Sequence, residues 1–265
     1  MIPVWDAPFV DALPEAVASA GRQVPRPRIV VVDNASRDPL PELSRVEIVR
    51  SQTRLSRGGA RNLGLSRVAT EFVLFLDADD VMLDGAVALL ESELARVPDA
   101  VVCAGAILDR VTGRRHRVPH RVAYPLSRAR GWFAVANAAW SLYPSQGAAV
   151  MRTAAVRDAG GYGDADEGED WVLRASLAFR GRVALVDTPA FRYAQRGEAP
   201  RGARLREAAG RVRDRIRADP GIPRWAKAML PAIALAQMWM IGVIHPLAAA
   251  VGARRESRVS TGAAS

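Results

Sequence analysis

Glu71-Phe-Val-Leu-Phe-Leu-Asp-Ala-Asp-Asp80 is the stretch that decides the fold. An uninterrupted apolar run ending in acids fits a short strand buried on both faces, as in parallel sheets. Comparable runs lie on either side: Arg28-Ile-Val-Val-Val-Asp33, Val46-Glu-Ile-Val-Arg50, Ala100 to Leu108, Gly147 to Arg152 and Arg182 to Asp187. Helix-like stretches separate them, at 60–69, 85–96, 153–159 and 169–180. The alternation predicts an α/β fold with a mostly parallel central sheet and helices on both faces. Ligands bind such sheets beyond the carboxyl ends of the strands. Asp33 and Asp77 therefore fall where a site belongs. Residues 109–147 are less regular and carry Trp132, Phe133, Trp140 and Tyr143, which suits a substrate-facing wall.

Composition narrows the function classes. In 265 residues, 37 basic side chains oppose 28 acidic ones, a net charge of +9, and every cation except Lys227 is arginine. An apolar share of 49% with 25% charged residues is ordinary globular composition and excludes a disordered or collagen-like chain. The lone Cys103 forbids an intrachain disulfide and fits a reducing cytosol. His116, His120 and His245 are too scattered to build a zinc site with it. The N-terminus lacks the basic start and apolar core of a signal peptide, so a cytoplasmic setting is expected. The basic balance points to an anionic partner. No helix-turn-helix, zinc-finger or RNA-binding aromatic signature is present, so nucleic acid is not expected.

Three carboxylates, Asp77, Asp79 and Asp80, crowd one loop and call for a counter-charge. Mg²⁺ or Mn²⁺ supplies one, held by one or two carboxylates and by substrate phosphates. The same acids also suit a loop before a helix, with Asp84 as its N-cap. Asp33 fits a hydrogen bond to a base or ribose, and equally an Asx-turn in Asp33-Asn-Ala-Ser36. Arg57-Gly-Gly-Ala-Arg61-Asn62 opens a helix with glycines, leaving amides and two guanidiniums for an anion. Gly168-Glu-Asp-Trp171 puts acids at a helix start, where charge–dipole stabilisation alone also explains them.

In order and spacing these segments resemble family 2 glycosyltransferases, inverting enzymes of the GT-A fold. The resemblance runs from Ile2-Pro-Val-Trp-Asp6 through Val31–Asp38, Gly59-Ala-Arg-Asn-Leu-Gly64 and Phe75–Asp80 to Gly160-Gly-Tyr-Gly163 and Gly168–Trp171, ending near Arg196. It implies a catalytic domain over 1–200, with a nucleotide-sugar half at about 1–108 and an acceptor half at about 109–200. It implies that Asp33 contacts the nucleoside, with Pro3, Val4 and Trp5 lining the base and Arg57 and Arg61 near the phosphates or base. Asp77 and Asp79 match the family's Asp-x-Asp motif for metal and donor, spanning Ala78, and Asp80 shares the metal. Asp170 matches the catalytic base, with Glu169 beside it. The implied reaction moves a sugar from a nucleotide-diphospho-sugar, in this family most often a UDP-sugar, to an acceptor hydroxyl on a saccharide, a lipid-linked carrier or a small molecule. A catalytically impaired, membrane-associated donor-binding subunit and a sugar-phosphate nucleotidyltransferase are the alternatives.

Two departures stand out. Only Met1 precedes Ile2, where the family has several apolar strand residues, so the first strand reads as clipped. Gln195 and Arg196 occupy the neighbourhood where many relatives place a histidine. Beyond 200 a basic helical tail is expected: residues 201–224 hold eight arginines and three acids, and residues 228–251 carry no formal charge. As one helix, the latter would cover about 36 Å at ~1.5 Å per residue, enough to cross a bilayer. Pro231 and Pro246 interrupt it. Packing on its own domain or on a second subunit, contact with a membrane surface, and a true span all stay open.

Overall fold

The computed structural model describes residues 1–116, 121–144, 147–194 and 202–244. Strands β1 (Ile2–Val4), β2 (Ile29–Asp33) and β3 (Val46–Arg50) form a parallel sheet in that order, with Ile2 opposite Val31 and Asp33 opposite Arg50. Every residue of β1 and β2 is buried, as continuous apolar strands require. A second sheet has the order β4-β7-β6-β8-β5, built from β4 (Phe72–Val73), β5 (Val81–Met82), β6 (Ala100–Asp109), β7 (Ala149–Arg152) and β8 (Arg182–Tyr193). Here β6 and β8 are parallel, while β7 runs antiparallel to both β4 and β6, and β5 antiparallel to β8. The sheet is therefore mixed where the hydrophobic runs alone predict a mostly parallel one, because run composition does not encode strand direction.

The stretch at 71–76 joins the sheets. Regular pairing is confined to Phe72 and Val73, but Met1 donates its amine to the Leu74 carbonyl at 2.9 Å and accepts from the Leu76 amide at 3.0 Å. On the other side Gly147, at φ 63°, donates to the Phe75 carbonyl at 2.5 Å. A cavity of about 250 Å³ lies at the start of β1, between Ile29–Val30 and Phe72–Leu74.

Helices cover both faces: α1 (Asp6–Gly21), α2 (Arg57–Leu65), α3 (Ala86–Arg96), α4 (Ala123–Leu126), α5 (Arg130–Ala139), α6 (Thr153–Asp158) and α7 (Glu169–Arg180). Several boundaries differ from the sequence reading. Helix α2 starts three residues before Ala60, because the Ser56 hydroxyl caps it by accepting from Gly59 at 2.9 Å. Helix α3 is preceded by Gly85 at φ 77° with no side-chain cap, so Asp84 is not its N-cap; that carboxylate pairs with Arg22. The loose 109–147 region contains α5, whose Phe133, Ala134, Asn137 and Ala138 are buried on one face. Gly131 and Asn137 disguise that periodicity in the sequence.

The tail forms α8 (Gly202–Ala218), α9 (Arg224–Ala228) and α10 (Leu230–Trp239), followed by a π-helical turn over Met240–Ile244. Ala208, Val212, Ile216, Ala226 and Ile233 join the apolar cluster that contains Phe133, Trp171 and Leu173. Arg180 on α7 donates to Asp219 at 2.6 Å, closing that seam with charge. Among the described residues no helix is long and apolar enough to cross a membrane. The 228–251 run is therefore not one continuous helix over its described part; residues 245–251, with His245 and Pro246, lie outside the described residues.

Candidate active site

The loop Asp77–Asp80 leaves the carboxyl end of the 71–76 strand and turns into β5. Ala78, Asp79 and Asp80 are all buried. Asp80 Oδ1 accepts from the Ala194 amide at 2.9 Å, tying the loop to the end of β8. Its Oδ2 is buried without a hydrogen-bond donor. Burial first, then the neighbouring Asp77 charge, pushes the Asp80 carboxyl up to about 9.

Arg61 projects from α2 into this loop. Its Nη2 donates to Asp77 Oδ1 at 2.7 Å and its Nη1 to Glu169 Oε1 at 2.5 Å. The guanidinium also lies 5.3 Å from the centre of the Tyr162 ring. Burial by itself would lower the Arg61 pKa, but Asp77, Tyr162 and Glu169 outweigh it and raise it. Arg61 thus works as a buried strut between two acidic segments, a role its sequence position does not announce.

Glu169 and Asp170 begin α7. Gly168 before them sits at φ 71°, and a Cβ there would meet the Ala208 Cβ of α8 at 2.4 Å, so only glycine fits. Glu169 is buried, which is the main reason its carboxyl rises to about 7, with Asp170 adding to the shift and Arg61 opposing it. Asp170 is more open. Its Oδ2 accepts from Arg174 at 2.6 Å and its Oδ1 from the Trp171 amide at 2.7 Å. Arg174 is itself held by the Tyr143 carbonyl at 2.5 Å. The sequence reading missed Arg174, although its i,i+4 spacing from Asp170 on one helix is a usable signal.

The amides at the start of α2 are not free. Arg57 N donates to Asp166 Oδ1 at 2.9 Å, Gly58 N to the Ala165 carbonyl at 3.1 Å and Gly59 N to Ser56 Oγ. The acidic loop before Gly168 folds over this helix end, so the chain's own oxygens take the place expected for an anion. Asn62 completes the clamp, exchanging hydrogen bonds with the Tyr162 carbonyl and amide at 2.8 and 2.9 Å.

At the end of β2, Asp33 Oδ1 accepts from Ser36 N at 2.9 Å, an Asx-type turn, and Oδ2 pairs with Arg50. Arg50 is the register partner of Asp33 on β3, a pairing that only the sheet reveals. Pro3 and Val4 are buried, and the Val4 carbonyl accepts from Asn34 N at 2.9 Å. Trp5 emerges from the sheet, with the Arg54 and Arg57 guanidiniums 4.6 and 5.6 Å from its ring centre. Asp33 and Trp5 thus share one sheet end, and Arg61 draws Asp77 and Glu169 together beside it. Gln195 and Arg196 lie outside the described residues.

This arrangement has close counterparts in overall fold. The structure of S. aureus TarS residues 1–349 in complex with UDP-GlcNAc superposes with a TM-score of 0.63 at 18% identity, covering 90% of this chain and 71% of that one. The mannosyltransferase PcManGT from Pyrobaculum calidifontis, in complex with GDP-Man and Mn²⁺, gives 0.62 at 21% identity, covering 99% and 78%. No curated protein matches the sequence. A family profile described as Glycosyl transferase family 2 matches residues 1–158, which include the strand-end acids and the Arg61 helix. With more than half of its length in that match and a GT-A-type fold around its acidic loops, the chain belongs to glycosyl transferase family 2 and is a glycosyltransferase.

Proposed function

We propose that this enzyme transfers a sugar from a nucleotide-diphospho-sugar to an acceptor hydroxyl with inversion, in a single displacement. The observation that carries the reading is the Arg61 bridge, which links Asp77 directly to Glu169, the neighbour of Asp170 at the start of α7. Residues 1–108 form the donor side and 109–200 the acceptor side, with the helices beyond 201 bracing the Gly168 turn.

The donor base stacks toward Trp5, with Pro3 and Val4 contributing backbone beneath it. Asp33 receives the nucleoside on exchanging its contact with the half-exposed Arg50. Arg57, exposed above Trp5, reaches the base or diphosphate. Asp77, Asp79 and Asp80 fit Mg²⁺ or Mn²⁺: Asp80 Oδ2 is a buried oxygen without a donor, and the three carboxylates form one short loop. Among the described residues no preformed group of three ligating side chains stands ready. One or two carboxylates with donor phosphate oxygens is the coordination such cations accept. When bound, the cation neutralises charge on the leaving diphosphate. Asp170 takes the acceptor proton as the hydroxyl oxygen attacks the anomeric carbon, and Arg174 fixes its orientation.

Support from the comparisons is chemical. One similar structure holds UDP-GlcNAc and another GDP-Man with Mn²⁺. Titration of the full chain with UDP-, GDP- and dTDP-sugars, with and without Mn²⁺, tests the reading. Cation-dependent binding of one donor followed by sugar transfer supports it. Binding without transfer or hydrolysis would leave a donor-binding subunit, and pyrophosphate release from a nucleoside triphosphate would make the chain a nucleotidyltransferase.

A further inference from the structure

Helix α10 turns Ile233 and Gln237 inward, and Gln237 donates to the Ala138 carbonyl of α5 at 2.9 Å. A helix docked this way in water carries polar residues on its outer face. Here Leu235, Met238 and Trp239 are 58%, 63% and 57% exposed, and Val243 and Ile244 extend the strip. No residue from 228 to 244 is charged. Trp225 lies against Gly131 at the start of α5, and both Trp225 and the adjoining Trp132 are exposed as well. Contiguous exposed apolar surface of this kind marks an interaction site.

Charge selects the partner. Residues 110–157 and 220–244 contain no acid at all, while Arg130 opens α5 next to the Gly131 that Trp225 meets, Arg128 lies just before it, and Arg224 and Lys227 flank Trp225 on α9. The acids of the neighbouring α8 are already paired, Glu207 with Arg211 and Asp214 with Arg217. A two-fold contact with a second copy would set these basic residues against their own copies. Tryptophans with arginine and lysine around an apolar strip match the interface of an anionic bilayer. Ten residues at ~1.5 Å each cover about 15 Å, half a hydrocarbon core, so the helix lies in the headgroup plane rather than across it.

We propose that the outer face of α10, together with Trp225 and Trp132, docks this enzyme on an anionic lipid surface. The inference does not depend on the transfer chemistry. It is tested by co-sedimentation of the full chain with vesicles of phosphatidylcholine alone and with phosphatidylglycerol added, followed also by tryptophan fluorescence. Binding to the anionic vesicles only, with a blue shift, is expected. Because the substituted side chains are exposed, Leu235→Glu/Trp239→Glu keeps the native melting curve and loses binding. Arg224→Gln/Lys227→Gln weakens binding about 30-fold, from roughly a fivefold contribution per basic residue near the surface, and provides a second variant that spares the apolar strip. Absence of binding to anionic vesicles, or unchanged binding by both variants, overturns the proposal. A concentration-dependent dimer abolished by Leu235→Glu, without vesicle binding, assigns the face to a second copy instead.

Discussion

Arg61 and Glu169 stand 108 positions apart in the chain, yet Nη1 reaches Oε1 at 2.5 Å and each side chain is only 5% exposed. The same guanidinium holds Asp77. One buried cation therefore sets the spacing between the loop assigned to the donor and the helix that carries the proposed base.

Replacing Arg61 with methionine leaves Glu169 buried without its counter-ion and frees Asp77. Breaking a buried pair by removing one partner costs about 3–5 kcal/mol. Chemical denaturation of Arg61→Met at pH 8 is expected to show a loss of that order. The loss should shrink toward pH 5, where a protonated Glu169 no longer needs a cation. An undiminished deficit at pH 5 would mean that packing, not charge, is what Arg61 supplies.

Glu169 itself makes stability depend on pH. Its folded-state carboxyl is raised to about 7, chiefly by burial, from the ordinary glutamate value of 4.5. The native state then binds the proton more tightly than the unfolded chain. The resulting stabilisation is complete below about pH 4.5 and is lost as pH rises through about 7. Glu169→Gln carries no such proton, so the stability difference between it and the parent chain should change across that window and level off on either side. Parallel pH–stability curves for the two proteins would refute this.

Asp170→Asn removes the proposed proton acceptor while keeping shape and the contact with the Trp171 amide. A positioned general base contributes about 10²–10⁴-fold. Transfer by the variant should fall by that factor, with donor affinity unchanged in calorimetry. A kcat near that of the parent enzyme would take the role away from Asp170.

Gly168→Ala tests whether the tail positions the base. A left-handed residue with a Cβ costs about 1–2 kcal/mol, and the added carbon also meets Ala208 on α8. Thermal melting should drop, and kcat with it, as the turn before Glu169 shifts. Ala208→Gly in the same chain should recover part of the loss by relieving the contact, though not the backbone cost. No recovery would assign the whole effect to the backbone.

Much of this protein was legible in its residues. The runs at 29–33 and 100–108 became largely buried strands because β-branched and apolar runs of that length can be buried on both faces of a sheet, whereas 46–50 forms the last strand of its sheet with only Val49 buried. The acids at 33 and 77–80 fell at strand ends, as the alternation of strand and helix required, and the family followed from the order of such segments. Pairwise geometry was another matter. That Asp33 faces Arg50, that Asp164 and Asp166 occupy the start of α2, and that Arg61 joins Asp77 to Glu169 are contacts between segments up to 109 residues apart. Local propensity carries no information about such distances; they are set by strand register and by which helix end a loop folds over. The tail divides in the same way: its missing charge was plain in the sequence, but which side of α10 is buried, and which is left bare, was decided by packing against α5 and α8.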